Sequence, residues 1–297
     1  MGLLNALPGA VAQGMIWGIM AIGVYITFKI LDFADLTVDG SICTGAAVCA
    51  VLVTRGCNVY LAMLAAFAAG MLTGLLTGIF HTFMGIPPIL SGILTQLILW
   101  SVNIKIMGKA NTALSARSYP VLVTQLRRNE TLIALTIICI AIIALLYWFF
   151  GTEFGASIRS TGSNKNMSRA QGINTNVTTV FALVLSNGIV ALAGSLLAQY
   201  QGAADINMGR GAIVIGLAAV IIGQAVVSKI SKNFAVTLIG VVLGGVVYYI
   251  VYQTIIFLGL DTDLLKMLSA VVVAIFLAVP YWKKKYFTKP GVNKEAK

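Results

Sequence analysis

The residues of this sequence that could do chemistry in an apolar environment are a few aspartates. Asp32, Asp35 and Asp39 fall within one short segment, and Asp205 stands alone in a similar segment further along. A carboxylate inside hydrocarbon costs several kcal/mol unless it faces water or a partner. Two interpretations stay open: the segments are broken-helix turns whose polar groups line a solute path, or their side chains cap ordinary helices.

The two segments that carry these aspartates resemble each other. The first, ADLTVDGSICTGAAVCAVL, begins at Ala34, and the second, ADINMGRGAIVIGLAAVII, begins at Ala204. We interpret them as parts of an internal repeat. An odd number of predicted spans separates equivalent points, so the two units would cross the membrane in opposite directions, with the path between them. The candidate path-lining residues are Asp35, Thr37, Asp39, Ser41, Asp205 and Asn207.

Enzymatic chemistry has little support in the sequence. His81 is the only histidine, so neither a multi-histidine metal site nor an HExxH site can form. The four cysteines lack metal-ligand spacing. There is also no GxxxxGK[ST] loop to hold a nucleotide phosphate. We therefore expect no enzyme, no metal and no cofactor bound by this chain.

Composition identifies the setting of these residues as a membrane. Hydrophobic residues make up 59% of the chain and charged residues 10%, against roughly 25% charged residues in soluble domains. Mean hydropathy is +0.95, and apolar runs repeatedly reach the ~20 residues that cross a bilayer. We predict an all-α polytopic membrane protein, one transmembrane domain over 1–297, with about nine helices. The predicted spans are 8–30, 40–54, 59–84, 88–104, 131–150, 176–199, 211–228, 234–258 and 264–282.

The net charge of +11 indicates membrane sidedness rather than nucleic-acid binding. Six of the twenty Lys and Arg residues lie in the tail 283–297, beside an apolar run. Such a cluster marks the cytoplasmic side, and an odd span count then puts the N-terminus outside. Five cations in 105–128 leave the sidedness of the N-terminal half open. The predicted repeat units cover 8–104 and 176–282.

The longest polar interruption of the C-terminal half lies between them, at 152–176. It reads TEFGASIRSTGSNKNMSRAQGINTN. Ser163 or Asn164 could cap a short helix that ends near Gly172, a residue suited to a left-handed C-cap. A helix lying across the membrane face is what a separate ATPase would push against. A merely solvated loop fits the same residues, so chemistry alone leaves both readings open.

A resemblance separates the two readings. The run from Phe154 to Gly223, which begins FGASIRSTGSNKNMSRAQGINTN, resembles permeases of the branched-chain amino acid ABC importers and their sugar-importing relatives. The segment LDFADLTVDGS is similar to the family's Asn-Phe-Ala-His-Gly or Asp-Leu-Ser-Val-Gly-Ser segment, in wording most like the tryptophan and tyrosine transport permeases. It departs from the branched-chain pattern by having Asp35 and Leu36 where a histidine stands. The loop also lacks the acidic residue often seen before its helix.

The resemblance implies a permease subunit that forms the path for a small solute in a bacterial cytoplasmic membrane. The resemblance to the tryptophan and tyrosine transport permeases implies that this solute is an amino acid. It implies a second permease copy that completes a homodimer, an ABC ATPase that holds ATP and Mg²⁺, an extracellular solute-binding protein or lipoprotein, and surrounding membrane lipid. The alternative from the residues alone is a secondary transporter that couples an ion to Asp35, Asp39 or Asp205. The resemblance places ATPase coupling on Arg159, Asn164, Lys165, Asn166, Met167, Arg169, Ala170, Gln171 and Gly172.

Overall fold

The fold is a bundle of apolar helices, seen in a computed structural model that describes residues 2–227 and 233–257 with the isolated positions 267, 271, 274 and 278. The long apolar runs become helices because only a helix satisfies its own backbone polar groups in lipid. The helices are α1 Gly2–Tyr25, continued by the π-helical turn Ile26–Ile30, α2 Val38–Thr54, α3 Val59–Thr82, α4 Pro88–Met107, α5 Arg128–Gly151, α6 Glu153–Ser163, α7 Lys165–Ala170, α8 Thr175–Gln201, α9 Ala212–Val227 and α10 Phe234–Phe257.

The prediction of an all-α polytopic membrane protein is confirmed, but the count of nine spans is not. Among the described residues, six helices are long and apolar enough to cross a membrane. Two more, α2 and α9, are apolar but shorter, at 17 and 16 residues. The predicted span 264–282 lies outside the described residues, apart from the isolated positions. Two predicted spans are therefore short helices, which matters for the site below.

Of the helices long enough to cross a membrane, α1 and α8 are the most buried. In the apolar window of the span that contains α1, 78% of residues are buried, and in α8 72% are buried, whereas in α5 only 17% are. Helix α8 packs mainly against α3 and α2, and α1 packs mainly against α10, with further contacts to α8 and α9. Each of these two helices therefore packs largely on helices that belong to the other predicted repeat unit.

Glycines make these helix contacts close. A Cβ atom on Gly14 would lie 2.6 Å from the Cα of Val246 in α10, and one on Gly74 would overlap the Leu183 carbonyl of α8. Gly14 and Gly18, like Gly70 and Gly74, stand four residues apart, and this spacing clears a helix face for a neighbouring backbone, as small residues do in membrane bundles.

A small sheet joins the ends of α4 and α8. Strand β1, Asn111–Ala113, pairs antiparallel with β2, Ala203–Asp205. The sequence did not indicate either strand. The pairing fixes the connection after α4 against the segment that leads into α9.

Candidate solute path and motor-docking face

The first aspartate segment is an extended chain that turns back into the bundle. After the π-helical turn, the Leu31 N–H donates to the Ile26 carbonyl and the Phe33 N–H to the Thr27 carbonyl. Asp32 then adopts a left-handed conformation with φ of 55°, which Asp tolerates better than most residues. The chain continues without helix until Thr37, the N-cap of α2.

Asp35 lies at the centre of this segment and is 2% exposed. Its Oδ1 accepts the Thr37 N–H at 2.9 Å, and its Oδ2 accepts Asn187 Nδ2 at 2.7 Å. Asn187 lies in the middle of α8, a helix long enough to span the membrane. The Asp35 carboxylate is therefore deep in the bilayer, where only partners such as these make it tolerable.

A chain of hydroxyl groups extends from this pair into α3 and α4. The Ser41 hydroxyl donates to Asn187 Oδ1 at 2.6 Å and lies 2.7 Å from the Thr73 hydroxyl. The Thr37 hydroxyl lies 2.6 Å from that of Thr77, which donates to Thr95 at 2.9 Å. All of these side chains are buried. In this conformation the network therefore joins four helices and leaves no open path along it.

Asp39 stands in the first turn of α2 but caps a different helix. Its Oδ2 accepts the Gly211 N–H at 3.0 Å and its Oδ1 accepts the Ile213 N–H at 2.9 Å. Those donors belong to the start of α9, whose N-terminal amides lack partners within the helix. The two short helices thus begin at the same place. Sequence reasoning considered Asp39 as a cap, but could not assign it to α9.

Asp205 occupies a more open place at the small sheet. Its Oδ1 accepts the Asn207 N–H at 2.7 Å, and its Oδ2 accepts Asn111 Nδ2 at 3.3 Å. The bond to the residue two positions on repeats the local turn that Asp35 makes with Thr37. The surroundings differ, because Asp205 is only half-buried and Asn207 is exposed. The two matched segments therefore share a turn but not an environment.

A pocket of about 150 Å³ opens beside Asp39, between α2, α4 and the loop that leads into α9. Sequence reasoning missed most of its lining. Gln96, Trp100 and Asn103 recur on α4 at intervals of four and three residues, which places them on one helix face, and this spacing could have identified them. The lining residues are Asp39, Gly40, Cys43, Gln96, Leu97, Trp100, Asn103, Ile206 and Arg210.

The polar interruption 152–176 forms two short helices. Asn164 caps α7 by accepting the Met167 N–H at 3.0 Å, and Gly172, just beyond its end, has φ of 82°. The structure thus selects Asn164 as the cap of the predicted short helix, because Ser163 is the last residue of α6. The preceding helix α6, capped by Thr152 through the Gly155 N–H at 3.3 Å, was not predicted.

Some of the candidate coupling residues make contacts within the protein, and the others are exposed. Arg159 donates to the Phe150 carbonyl oxygen and stacks over the rings of Phe150 and Phe234 at 5.8 and 5.6 Å. Arg169 Nε donates to the Thr175 hydroxyl at 2.8 Å. These two arginines hold the α6–α7 segment to the bundle. The residues whose side chains or backbone are exposed without such a contact are Lys165, Asn166, Met167, Ala170, Gln171 and Gly172.

Helix α6 touches the start of the first aspartate segment. A Cβ on Gly162 would overlap the Ile30 carbonyl oxygen and lie 2.8 Å from Leu31 Cα. The neighbouring Thr161 hydroxyl lies 2.9 Å from that of Thr178, near the start of α8. A displacement of α6 would therefore press directly on the residues that lead to Asp35.

Comparison of the sequence with known proteins identifies a family. The model of the family described as "Branched-chain amino acid transport system / permease component" matches residues 7–279. The chain is 36% identical to the tyrosine transport system permease protein of Clostridioides difficile (strain R20291), over 93% of this chain and 91% of that protein. It is 32% identical to an uncharacterized protein of Rickettsia prowazekii (strain Madrid E), over 93% and 98%.

A more distant relative is the fructose import permease protein FruF of Bifidobacterium longum (strain NCC 2705), 25% identical over 81% of this chain and 68% of that protein. No solved structure matches significantly. Permease subunits of this kind lack an ATPase site of their own, rely on a partner ATPase and usually receive their solute from a binding protein. The chain belongs to the branched-chain amino acid transport system permease family, and it is a multi-pass membrane subunit of an ABC importer for small solutes.

Proposed function

We propose that this permease imports an amino acid and works as a homodimer with its C-terminal tail in the cytoplasm. The amino acid is supported by the family description and by the tyrosine transport permease among its relatives. The cytoplasmic tail is supported by the six cations in 283–297. The observation that carries the mechanism is the contact of α6 with Ile30 and Leu31.

The ATPase docks on α7 in this proposal. Lys165, Asn166 and Met167 are all exposed around the first turn of α7, and Met167 is 57% exposed; we call this exposed turn the α7 face. A cation, an amide and a flexible thioether suit an interface that must release and rebind during a cycle. Arg159 and Arg169 do not bind the ATPase in this proposal. Their contacts anchor the α6–α7 segment to the bundle.

Closure of the two ATPase subunits moves α7 and, through the Asn164 junction, α6. Helix α6 then acts on the π-helical turn and the aspartate segment through Gly162. The Asp35–Asn187 pair bonds that segment to the middle of α8, and the Ser41 hydroxyl bonds to the same asparagine. A small shift at the membrane face is thereby transmitted to mid-membrane, where the two proposed inverted repeat units, about 8–104 and 176–282, meet.

The six candidate path residues have different roles in this mechanism. Asp35, Thr37 and Ser41 form the moving hinge, and Asp39 sits at the junction of the short helices. Asp205 and Asn207 shape the entrance at the small sheet. Ion coupling by the same aspartates has no comparable support, since relatives of this chain are ABC import permeases.

The docking face is tested by co-purifying the permease with its ATPase from mild detergent. The double variant Lys165→Glu, Met167→Ser should lose the ATPase, because both side chains are exposed and make no contact that folding needs. Lys109→Glu is the matched control, since Lys109 is an exposed lysine near β1, away from α7. Retention of the ATPase by the double variant would contradict docking on α7.

A further inference from the structure

We propose that the pocket beside Asp39 is the solute site of this permease and that it takes a zwitterionic α-amino acid with an aromatic side chain. In this assignment the ammonium group binds Asp39 and Asn103, the carboxylate binds Arg210, and the ring lies against Trp100. The assignment rests on the proposed amino acid import and adds which residues recognise the solute.

The pocket presents opposite charges that are not bonded to each other. Asp39 and Arg210 both line it, yet they form no salt bridge. The Asp39 carboxylate accepts backbone N–H groups at the start of α9, from Gly211, Ala212 and Ile213, and its two oxygens offer about four lone-pair sites, so a further donor can still bind. Arg210 is exposed, and within the described ranges its guanidinium has no hydrogen-bond partner. An anion and a cation separated in one pocket suit the two ends of a zwitterion.

Asn103 supplies an independent indication that the pocket binds a ligand. Its side chain is 1% exposed, and its amide nitrogen reaches the Gly40 carbonyl at 3.5 Å. Its Oδ1 is buried and has no hydrogen-bond partner within the described structure. Buried amide oxygens are rarely left unpaired. A ligand ammonium, which has three donors, would satisfy Asn103 Oδ1 and Asp39 together.

The apolar wall indicates the side chain of the solute. Trp100 is 48% exposed and Leu97 63% exposed, and both line the pocket. An indole face next to a polar pocket offers offset stacking to another aromatic ring. A sugar would leave both charged groups without a charged partner, so the lining favours an amino acid over that class.

The location of the pocket also suits transport. It lies where α2 and α9 begin, and Asp39 ties those beginnings together. Transporters of several folds bind their solute at mid-membrane, where the ends of short helices meet. A solute that donates a hydrogen bond to Asp39 would therefore contact this junction directly.

The assignment is tested by binding to the permease–ATPase complex in lipid nanodiscs. The probes are labelled L-tyrosine, tyramine, which lacks the carboxylate, and 4-hydroxyphenylpropionate, which lacks the ammonium. Wild type should prefer L-tyrosine to each analogue by about tenfold or more, as expected for a lost charged hydrogen bond. Arg210→Gln should abolish the preference over tyramine while tyramine binding itself changes little. Asn103→Leu should reduce only the preference over 4-hydroxyphenylpropionate.

Arg117→Gln, at an exposed arginine that does not line the pocket, is the control and should bind like wild type. Because each variant is expected to lose one preference and keep the other, misfolding cannot mimic the result. If Arg210→Gln still prefers L-tyrosine to tyramine, the pocket is not the site, although amino acid import could still stand. If the wild-type complex binds none of the three probes but binds fructose, amino acid import itself fails.

Discussion

The contact between α6 and the aspartate segment predicts a specific uncoupled variant, Gly162→Ala. A Cβ at this position would overlap the Ile30 carbonyl oxygen and lie 2.8 Å from both Ile30 C and Leu31 Cα. Carbon atoms in comfortable contact are about 3.5–4.0 Å apart. The two backbones must therefore separate by roughly 1 Å, and no flexible side chain can absorb the change.

Overpacking of this kind costs about 1–3 kcal/mol, which corresponds to roughly 5- to 150-fold in an equilibrium constant. The cost falls on the conformation in which α6 is seated on the π-helical turn. We expect Gly162→Ala to keep its ATPase, since the α7 face is unchanged, but to lose most of the coupling between ATP hydrolysis and solute.

The assay is ATP hydrolysis in proteoliposomes, measured with and without solute-loaded binding protein. Wild type should be stimulated, whereas Gly162→Ala should hydrolyse ATP at the same rate in both conditions. Gly151→Ala is the matched control, because nothing lies within 4 Å of a Cβ placed at Gly151. Normal stimulation of a folded Gly162→Ala complex would refute transmission through this contact.

Three further variants test the surrounding structure. Asn187→Leu removes the amide donor that Asn187 supplies to the Asp35 carboxylate, and should lower the free energy of unfolding by about 1–3 kcal/mol in a thermal melt. A normal melting temperature would contradict the pairing. Asn164→Ala removes the α7 cap, worth about 1 kcal/mol, so the α7 amides should exchange faster with deuterium, whereas Ser163→Ala should leave them unchanged. Asp39→Ala should speed exchange at the first turn of α9 rather than in α2, and the reverse pattern would refute the cross-helix cap.

The helical framework could be predicted because membrane insertion imposes it. An apolar run in lipid has to form a helix, so α3, α4, α5 and α10 follow from hydropathy alone. The short helices α2 and α9 were predicted as spans, since hydropathy does not reveal that both begin at one junction. That junction depends on Asp39 bonding to amides more than 170 residues away along the chain.

Partners of the buried polar residues could not be predicted from the sequence. Asp35 pairs with Asn187, which lies 152 positions further on, and nothing in the local sequence of either residue specifies the other. The same holds for Asn103, whose importance depends on the pocket around it. Only its regular spacing with Gln96 and Trp100 on α4 gave a usable signal.

The segment between α5 and α8 was predicted in part. Asn164 and Gly172 have the residue types that helix caps require, so α7 was expected. Helix α6 was missed, because its glycines and polar residues are typical of a loop. Gly155 and Gly162 are instead needed for close approach to Phe150 and to Ile30, respectively, a requirement that only the packed structure reveals.

The most direct test of the account is uptake of labelled L-tyrosine into proteoliposomes that contain this permease, its ATPase and a tyrosine-loaded binding protein. We predict that uptake requires ATP on the ATPase side and persists when ionophores abolish the ion gradients. Uptake that proceeds without ATP and stops when the gradients are abolished would contradict the account and favour ion coupling through the buried aspartates.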